Sequence, residues 1–93
     1  LLGLAQELGV SQQVKITGAL GGPGQVRDYL RRSDVFVLPS RAEGIPRALL
    51  EAMAAALPAV GSSVGAMPDL LEPRWIVKPG SVEDLRDKLI DFA

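Results

Sequence analysis

The 93-residue sequence has no cysteine and no histidine. Disulfide scaffolds, Cys/His zinc sites, Ser-His-Asp and Cys-His nucleophile systems and imidazole acid–base chemistry are therefore all excluded. Aromatic residues make up only 4% of the chain, too few for the stacking platforms that hold single-stranded nucleic acid. Neither sign of charge dominates: ten Lys and Arg face eleven Asp and Glu, a net charge of −1, so nucleic-acid binding has no electrostatic basis. No apolar run approaches the roughly 18 residues of a membrane span. The opening Leu1-Leu2-Gly3-Leu4 lacks a basic flank and soon meets Gln6-Glu7, so it is not a signal peptide. Any chemistry must run on carboxylates, Arg, Lys, hydroxyls and backbone dipoles.

What is present is a globular composition, 47% hydrophobic and 23% charged, on a chain long enough for one core. Leu1, Leu4 and Leu8 recur at helical spacing, with Gly9 placed as a C-terminal cap. Val14-Lys15-Ile16-Thr17-Gly18 alternates apolar and polar residues, the pattern of an edge strand. After the loop Leu20–Gly24, Val26, Tyr29 and Leu30 mark one helix face, with Arg27, Asp28, Arg31 and Arg32 on its wet side. Val35-Phe36-Val37-Leu38 is continuously apolar and reads as a central parallel strand covered on both faces. Pro46 suits the first position of a helix reaching about Ala56. Strands are predicted at Pro58–Ser62 and Trp75–Lys78, with a short helix at Met67–Glu72 between them. Ser81 caps a final helix through Phe92, with Asp84 three residues on in a variant capping box. The alternation predicts an α/β fold: a Rossmann-like parallel sheet flanked by helices. With no initiator Met and a start inside a helix, the chain reads as a piece of something longer.

In an open parallel sheet, ligands sit beyond the carboxyl ends of the strands, here the loops Gly18–Gly24, Pro39–Pro46, Ser62–Pro68 and Lys78–Ser81. Gly and Pro at such turns also serve simply as punctuation between elements. The second loop says most. Glu43-Gly44-Ile45-Pro46 sets an acid and a glycine before a helix N-terminus, where N–H groups and the dipole favour anions or hydroxyls. Glu51 follows about one and a half turns later on a helix apolar nearly all round. It is either the i,i+4 partner of Arg47, worth only about 0.2–0.5 kcal/mol, or a ligand-facing carboxylate, which its apolar surroundings favour.

The blocks Asp34-Val35-Phe36-Val37-Leu38-Pro39-Ser40 and Glu43-Gly44-Ile45-Pro46-Arg47-Ala48-Leu49-Leu50-Glu51-Ala52-Met53-Ala54 resemble the signature of family 4, or group 1, retaining glycosyltransferases. Glu43 and Glu51 stand at that family's E-x7-E spacing. Leu57 to Leu70, Pro79-Gly80 and Val14–Gly18 fit its neighbouring blocks, so the resemblance covers essentially the whole chain. It implies residues 1–93 are part of the C-terminal nucleotide-sugar-binding domain of a GT-B enzyme. The first two strands of that domain, with the Arg and Lys that neutralise the diphosphate, would be absent, as would the N-terminal acceptor domain. By position, Glu51 would hold the donor ribose, Glu43, Gly44 and Ile45 would address the transferred sugar, with Glu43 as the catalytic residue, and Gly18 would lie near the nucleobase. No cofactor and no metal are implied. The partners would be a nucleotide-diphosphate sugar and an acceptor, in the cytoplasm, with peripheral membrane association through the N-terminal domain. Pro46, Ala56, Ala66 and Asp69 depart from the usual Gly, Gly, Gly and Glu.

Two other classes compete. In a receiver domain, Lys78-Pro79 and Ser62 would mimic active-site positions, but Leu38-Pro39 stands where the phosphoacceptor Asp belongs. A non-catalytic interaction fragment fits the isolated chain. Dinucleotide and P-loop modules fail, because Gly22-Pro23-Gly24 lacks the rest of either glycine pattern. Without two strands between Val14–Thr17 and Val35–Leu38, the isolated chain is expected to leave apolar sheet uncovered, to self-associate and to be inactive.

Overall fold

The structure, a computed structural model, describes residues 1–92. Its elements are α1 (Leu2–Glu7), α2 (Pro23–Arg31), β1 (Phe36–Leu38), α3 (Arg47–Ala54), β2 (Ala59–Ser62), α4 (Met67–Leu70), β3 (Ile76–Val77) and α5 (Val82–Phe92), with short 3-10 turns at Ser11–Gln13 and Pro73–Trp75. The three strands form one parallel sheet in the order β1-β2-β3, with Val37 opposite Val60 and Ser62 opposite Val77. This is the expected Rossmann-like α/β architecture.

The core lies where α3 and α4 cross one sheet face. Leu49, Ala59 and Met67 are buried together, with Phe36, Leu38, Leu71 and Ile76 packed around them. Gly61 belongs to this face: a Cβ there would run into the Met67 sulfur and come within 3.1 Å of Leu71 Cδ1. Strand alternation turns Val60, Ser62 and Val77 to the opposite face. α5 packs against β2 and β3, and its Phe92 stacks on Trp75 with ring centroids 4.4 Å apart. The predicted cap of α5 is present, since Asp84 N–H donates to Ser81 Oγ at 3.1 Å. The Asp84 carboxylate accepts from Lys78 N–H at 2.9 Å rather than from the cap residue itself, so the box closes on the preceding loop.

Three expectations are corrected. Val14–Thr17 is not a strand; Val14 is extended, but no ladder pairs the segment and Ile16 stands 52% exposed. Alternation creates a strand only where a neighbour accepts its hydrogen bonds, and the free edge of β1 does not meet this segment. β1 is consequently an edge strand, half-buried throughout, and β2, buried at every position, takes the central place predicted for Val35–Leu38. Pro46 is the N-cap of α3 rather than its first residue, with φ −80° and ψ 94°.

Candidate functional site at the carboxyl ends of the strands

Three loops converge beyond the strand ends. The loop after β1 carries Glu43 and Gly44, and the loop after β2 closes onto it through Ala66 N–H donating to Gly44 O at 3.1 Å. Gly65, at φ +54°, lies so close beneath that a Cβ would overlap the Glu43 carbonyl and reach 2.6 Å from Gly44 O. The loop after β3 joins through Gly80, whose open side lies under the Arg41 guanidinium; a Cβ there would be 3.7 Å from Nη2. Glu43 is half-buried, and its Oε1 accepts from Ser40 Oγ at 3.1 Å. The carboxylate is thus oriented by a hydroxyl rather than neutralised by a cation. Ile45 projects 74% exposed, and nothing lies within 4 Å of a Cβ placed on Gly44, so the front of the loop is open.

Glu51 sits apart from that mouth, facing the cleft between α2 and α3. The cleft, about 750 Å³, is also lined by Val26, Leu30, Arg27 and Arg31. Periodicity puts Arg27 and Arg31 on the solvated face of α2; that they line the same cleft as Glu51 depends on how α2 packs on α3, which has no signal in the sequence. The buried surroundings expected for Glu51 are absent. α3 buries only Leu49 and Ala52, while Leu50 and Met53 stay about two-fifths exposed and Glu51 is exposed. No ion pair joins Glu51 to Arg47 among the described residues, whose ion pairs are Arg74–Glu72 and Arg86–Asp87. Gly18, at φ +66°, has nothing within 4 Å of its Cβ position, and the three-loop mouth does not include it.

Two further features accompany the site. Ser62 Oγ is buried at the end of β2 with no hydrogen-bond partner among the described residues. On the outer side of α2, Tyr29 lies between the Lys15 ammonium, 5.5 Å from the ring centre, and the Arg32 guanidinium, at 4.9 Å. A hydrogen bond from Lys15 and its positive charge hold the Tyr29 phenol below its ordinary pKa. No group of three or more carboxylates able to hold a metal ion occurs among the described residues.

A three-stranded parallel sheet flanked by helices, with its post-strand loops gathered at one end, defines an α/β domain of the Rossmann type. The chain belongs to the family described as glycosyl transferases group 1, whose model matches residues 2–93. It is 39% identical over 70 residues to the teichuronic acid biosynthesis glycosyltransferase TuaC of Bacillus subtilis, covering 73% of this chain and 18% of that protein. It is 39% identical over 78 residues to the amylovoran biosynthesis glycosyltransferase AmsK of Erwinia amylovora, covering 74% and 19%. Over 79 residues it is 37% identical to the sulfoquinovosyl transferase SQD2 of Arabidopsis thaliana, covering 78% and 15%. The chain therefore spans less than a fifth of the length of these three relatives, at 18%, 19% and 15%.

Proposed function

We propose that the protein containing this chain is a retaining glycosyltransferase of family 4, and that residues 1–93 supply part of its nucleotide-sugar donor site. The observation that carries the reading is the mouth itself: Glu43, oriented by Ser40, stands in the β1 loop where it meets the β2 loop at Gly65 and Ala66, and the β3 loop joins through Gly80 beneath Arg41. In the proposed reaction the bond from the anomeric carbon to the diphosphate oxygen breaks, and its electron pair stays on the diphosphate. The acceptor hydroxyl oxygen bonds that carbon and gives up its proton to the departing diphosphate. Glu51 holds the ribose through two charge-assisted hydrogen bonds from vicinal hydroxyls. Glu43, with Gly44 and Ile45, addresses the transferred sugar, and Gly18 lies toward the nucleobase. The reading assigns no cofactor and no metal, and places the reaction in the cytoplasm. It also takes the acceptor domain and the two further strands of this domain to lie elsewhere in the protein. No helix among the described residues is long and apolar enough to cross a membrane.

The test is a pair of substitutions in the intact protein. Glu51→Gln keeps the shape but loses the charge, and should weaken donor binding by roughly tenfold or more, since hydrogen bonds to charged groups contribute about 1.5–3 kcal/mol. Glu43→Ala should lower turnover more than it lowers affinity for the free nucleotide. Unchanged donor affinity in Glu51→Gln overturns the ribose assignment; equal loss of free-nucleotide affinity in Glu43→Ala moves that residue to the nucleotide.

A further inference from the structure

The backbone around Glu43 is held from outside its own loop. Gly65 lies beneath the Glu43 and Gly44 carbonyls, and Ala66 N–H donates to Gly44 O at 3.1 Å. Both contacts are made to the main chain, so neither fixes the Glu43 side chain. That side chain carries its carboxylate on several rotatable bonds and has no ion pair among the described residues. What it has is the hydroxyl of Ser40, whose Oγ donates to Oε1 at 3.1 Å. We propose that Ser40 is a positioning residue, whose hydroxyl aims the Glu43 carboxylate at the transferred sugar without itself touching the sugar. The inference rests on the donor-site reading above.

Ser40 is well placed for that task. It follows Pro39 directly after the last residue of β1, and it is half-buried, as Glu43 is. The hydroxyl is thus tied to the end of a strand, and its bond braces a side chain three residues further along the loop. A hydroxyl has one proton to donate, so it engages Oε1 and leaves Oε2 to accept from a ligand. A cation in its place would also orient the carboxylate, but would offset the charge that makes it a strong acceptor. At 3.1 Å the bond is long for a hydroxyl donor, so it sets direction more than it adds energy. Direction matters, because a misplacement of about 1 Å can cost up to about a hundredfold in rate.

The experiment gives the intact protein uridine, guanosine and adenosine diphosphate hexoses, and reads turnover as release of the nucleoside diphosphate. Calorimetry gives the affinity for the same free diphosphate. Ser40→Ala should lower turnover roughly three- to tenfold and leave free-diphosphate affinity within about twofold of wild type. Ser40→Thr, which keeps the hydroxyl, should restore most of the loss. In a Glu43→Ala background, Ser40→Ala should change turnover no further, because the group it aims is gone. Wild-type turnover in Ser40→Ala overturns the inference and leaves the donor-site reading standing. So does a Ser40→Thr variant as slow as Ser40→Ala, or a loss that persists in the Glu43→Ala background. An equal fall in free-diphosphate affinity overturns it too, since Ser40 would then act on the loop as a whole. A wild-type protein that releases none of the three diphosphates removes the donor-site reading and this inference with it.

Discussion

Helices α1 and α3 end in the same hydrogen-bond pattern with different residues at the turning point. After α1, Gly9 N–H donates to Gln6 O at 3.1 Å and Val10 N–H to Ala5 O at 2.9 Å. After α3, Ala56 N–H donates to Met53 O at 2.9 Å and Leu57 N–H to Ala52 O at 3.0 Å. Both are Schellman motifs, whose turning residue must take positive φ. Gly9 does so at +73° without a Cβ penalty; Ala56 does so at +58° and carries one. The left-handed conformation costs an L-residue about 1–2 kcal/mol, partly offset because glycine loses more freedom on folding. Ala56→Gly should therefore stabilise by up to about 1 kcal/mol, and Gly9→Ala should destabilise by a similar amount. Thermal melts followed by circular dichroism should move in opposite directions; a fall for Ala56→Gly would mean that this strain is absent. Gly9 was legible as a cap from sequence, and Ala56 stood out as the alanine where relatives of the signature carry glycine. Ala66 stood out the same way, yet at φ −83° it suits alanine.

Tyr29 offers a second check at this scale, since it is the only tyrosine of the chain. Lys15 stabilises the phenolate, so its spectrophotometric titration midpoint should lie below the ordinary 10.0. A depressed folded pKa adds stability above the unfolded value, and that contribution is lost as pH falls through the folded pKa. The coupling is thus silent near neutrality and gains strength only toward alkaline pH. Lys15→Met should raise the midpoint, and an unmoved titration would show that the two side chains do not meet in solution.

At the scale of elements, the order of helices and the three paired strands could be read from apolar periodicity, because helices and their caps are encoded locally. The pairing could not. Val14–Thr17 carries a strand's alternation, yet nothing in its own residues says whether a neighbour exists to complete the ladder. The same gap misplaced the centre of the sheet by one strand. For the site, the proposed roles of Glu43 and Glu51 come from the resemblance of their blocks to the family signature, whereas the placing of Arg41 over Gly80 and of the α2 arginines along the cleft of Glu51 emerges only when elements distant in sequence pack. Gly65 shows how tightly those elements are matched. Its missing side chain is what allows the β2 loop to lie under the Glu43 and Gly44 carbonyls, and its φ of +54° disfavours any replacement. Gly65→Ala must push the two loops apart and break the Ala66–Gly44 bond. It should lower donor turnover at least tenfold in the intact protein and cost about 1–3 kcal/mol of stability, through strain and a lost hydrogen bond. Wild-type turnover in this variant would mean that the loop contact does not set Glu43.

At the scale of the whole molecule, the 93-residue chain exposes more surface than its mass predicts. Its accessible area is 6726 Å², where a compact monomer of 9.8 kDa would show roughly 5,200 Å². Its radius of gyration is 13.7 Å, against about 12.3 Å expected for a compact chain of this length. Two regions of the surface carry strongly exposed apolar side chains. Leu1, Leu4 and Leu8 on and beside α1 are 84%, 54% and 67% exposed, and Val82 and Ile90 on α5 are 80% and 60% exposed. α1 buries only Ala5 and packs mainly on the following 3-10 turn, so it does not cover the sheet. β1 leaves a half-buried apolar edge strand with no neighbour on its outer side among the described residues. A surplus of roughly 1,500 Å² per chain is about twice the ~800 Å² that each partner of a standard protein interface buries. Exposed leucines and an open strand edge are each a template for association. The isolated 93 residues should therefore associate, and they should show no transferase activity, because the proposed acceptor domain is not among them. Sedimentation at micromolar concentration should give a weight-average mass above 9.8 kDa that rises with concentration. Lysine substitutions at Leu4 and Leu8 should reduce it if α1 is the contact, and at Val82 and Ile90 if α5 is. A concentration-independent monomer would show that the chain closes its own apolar surface in solution.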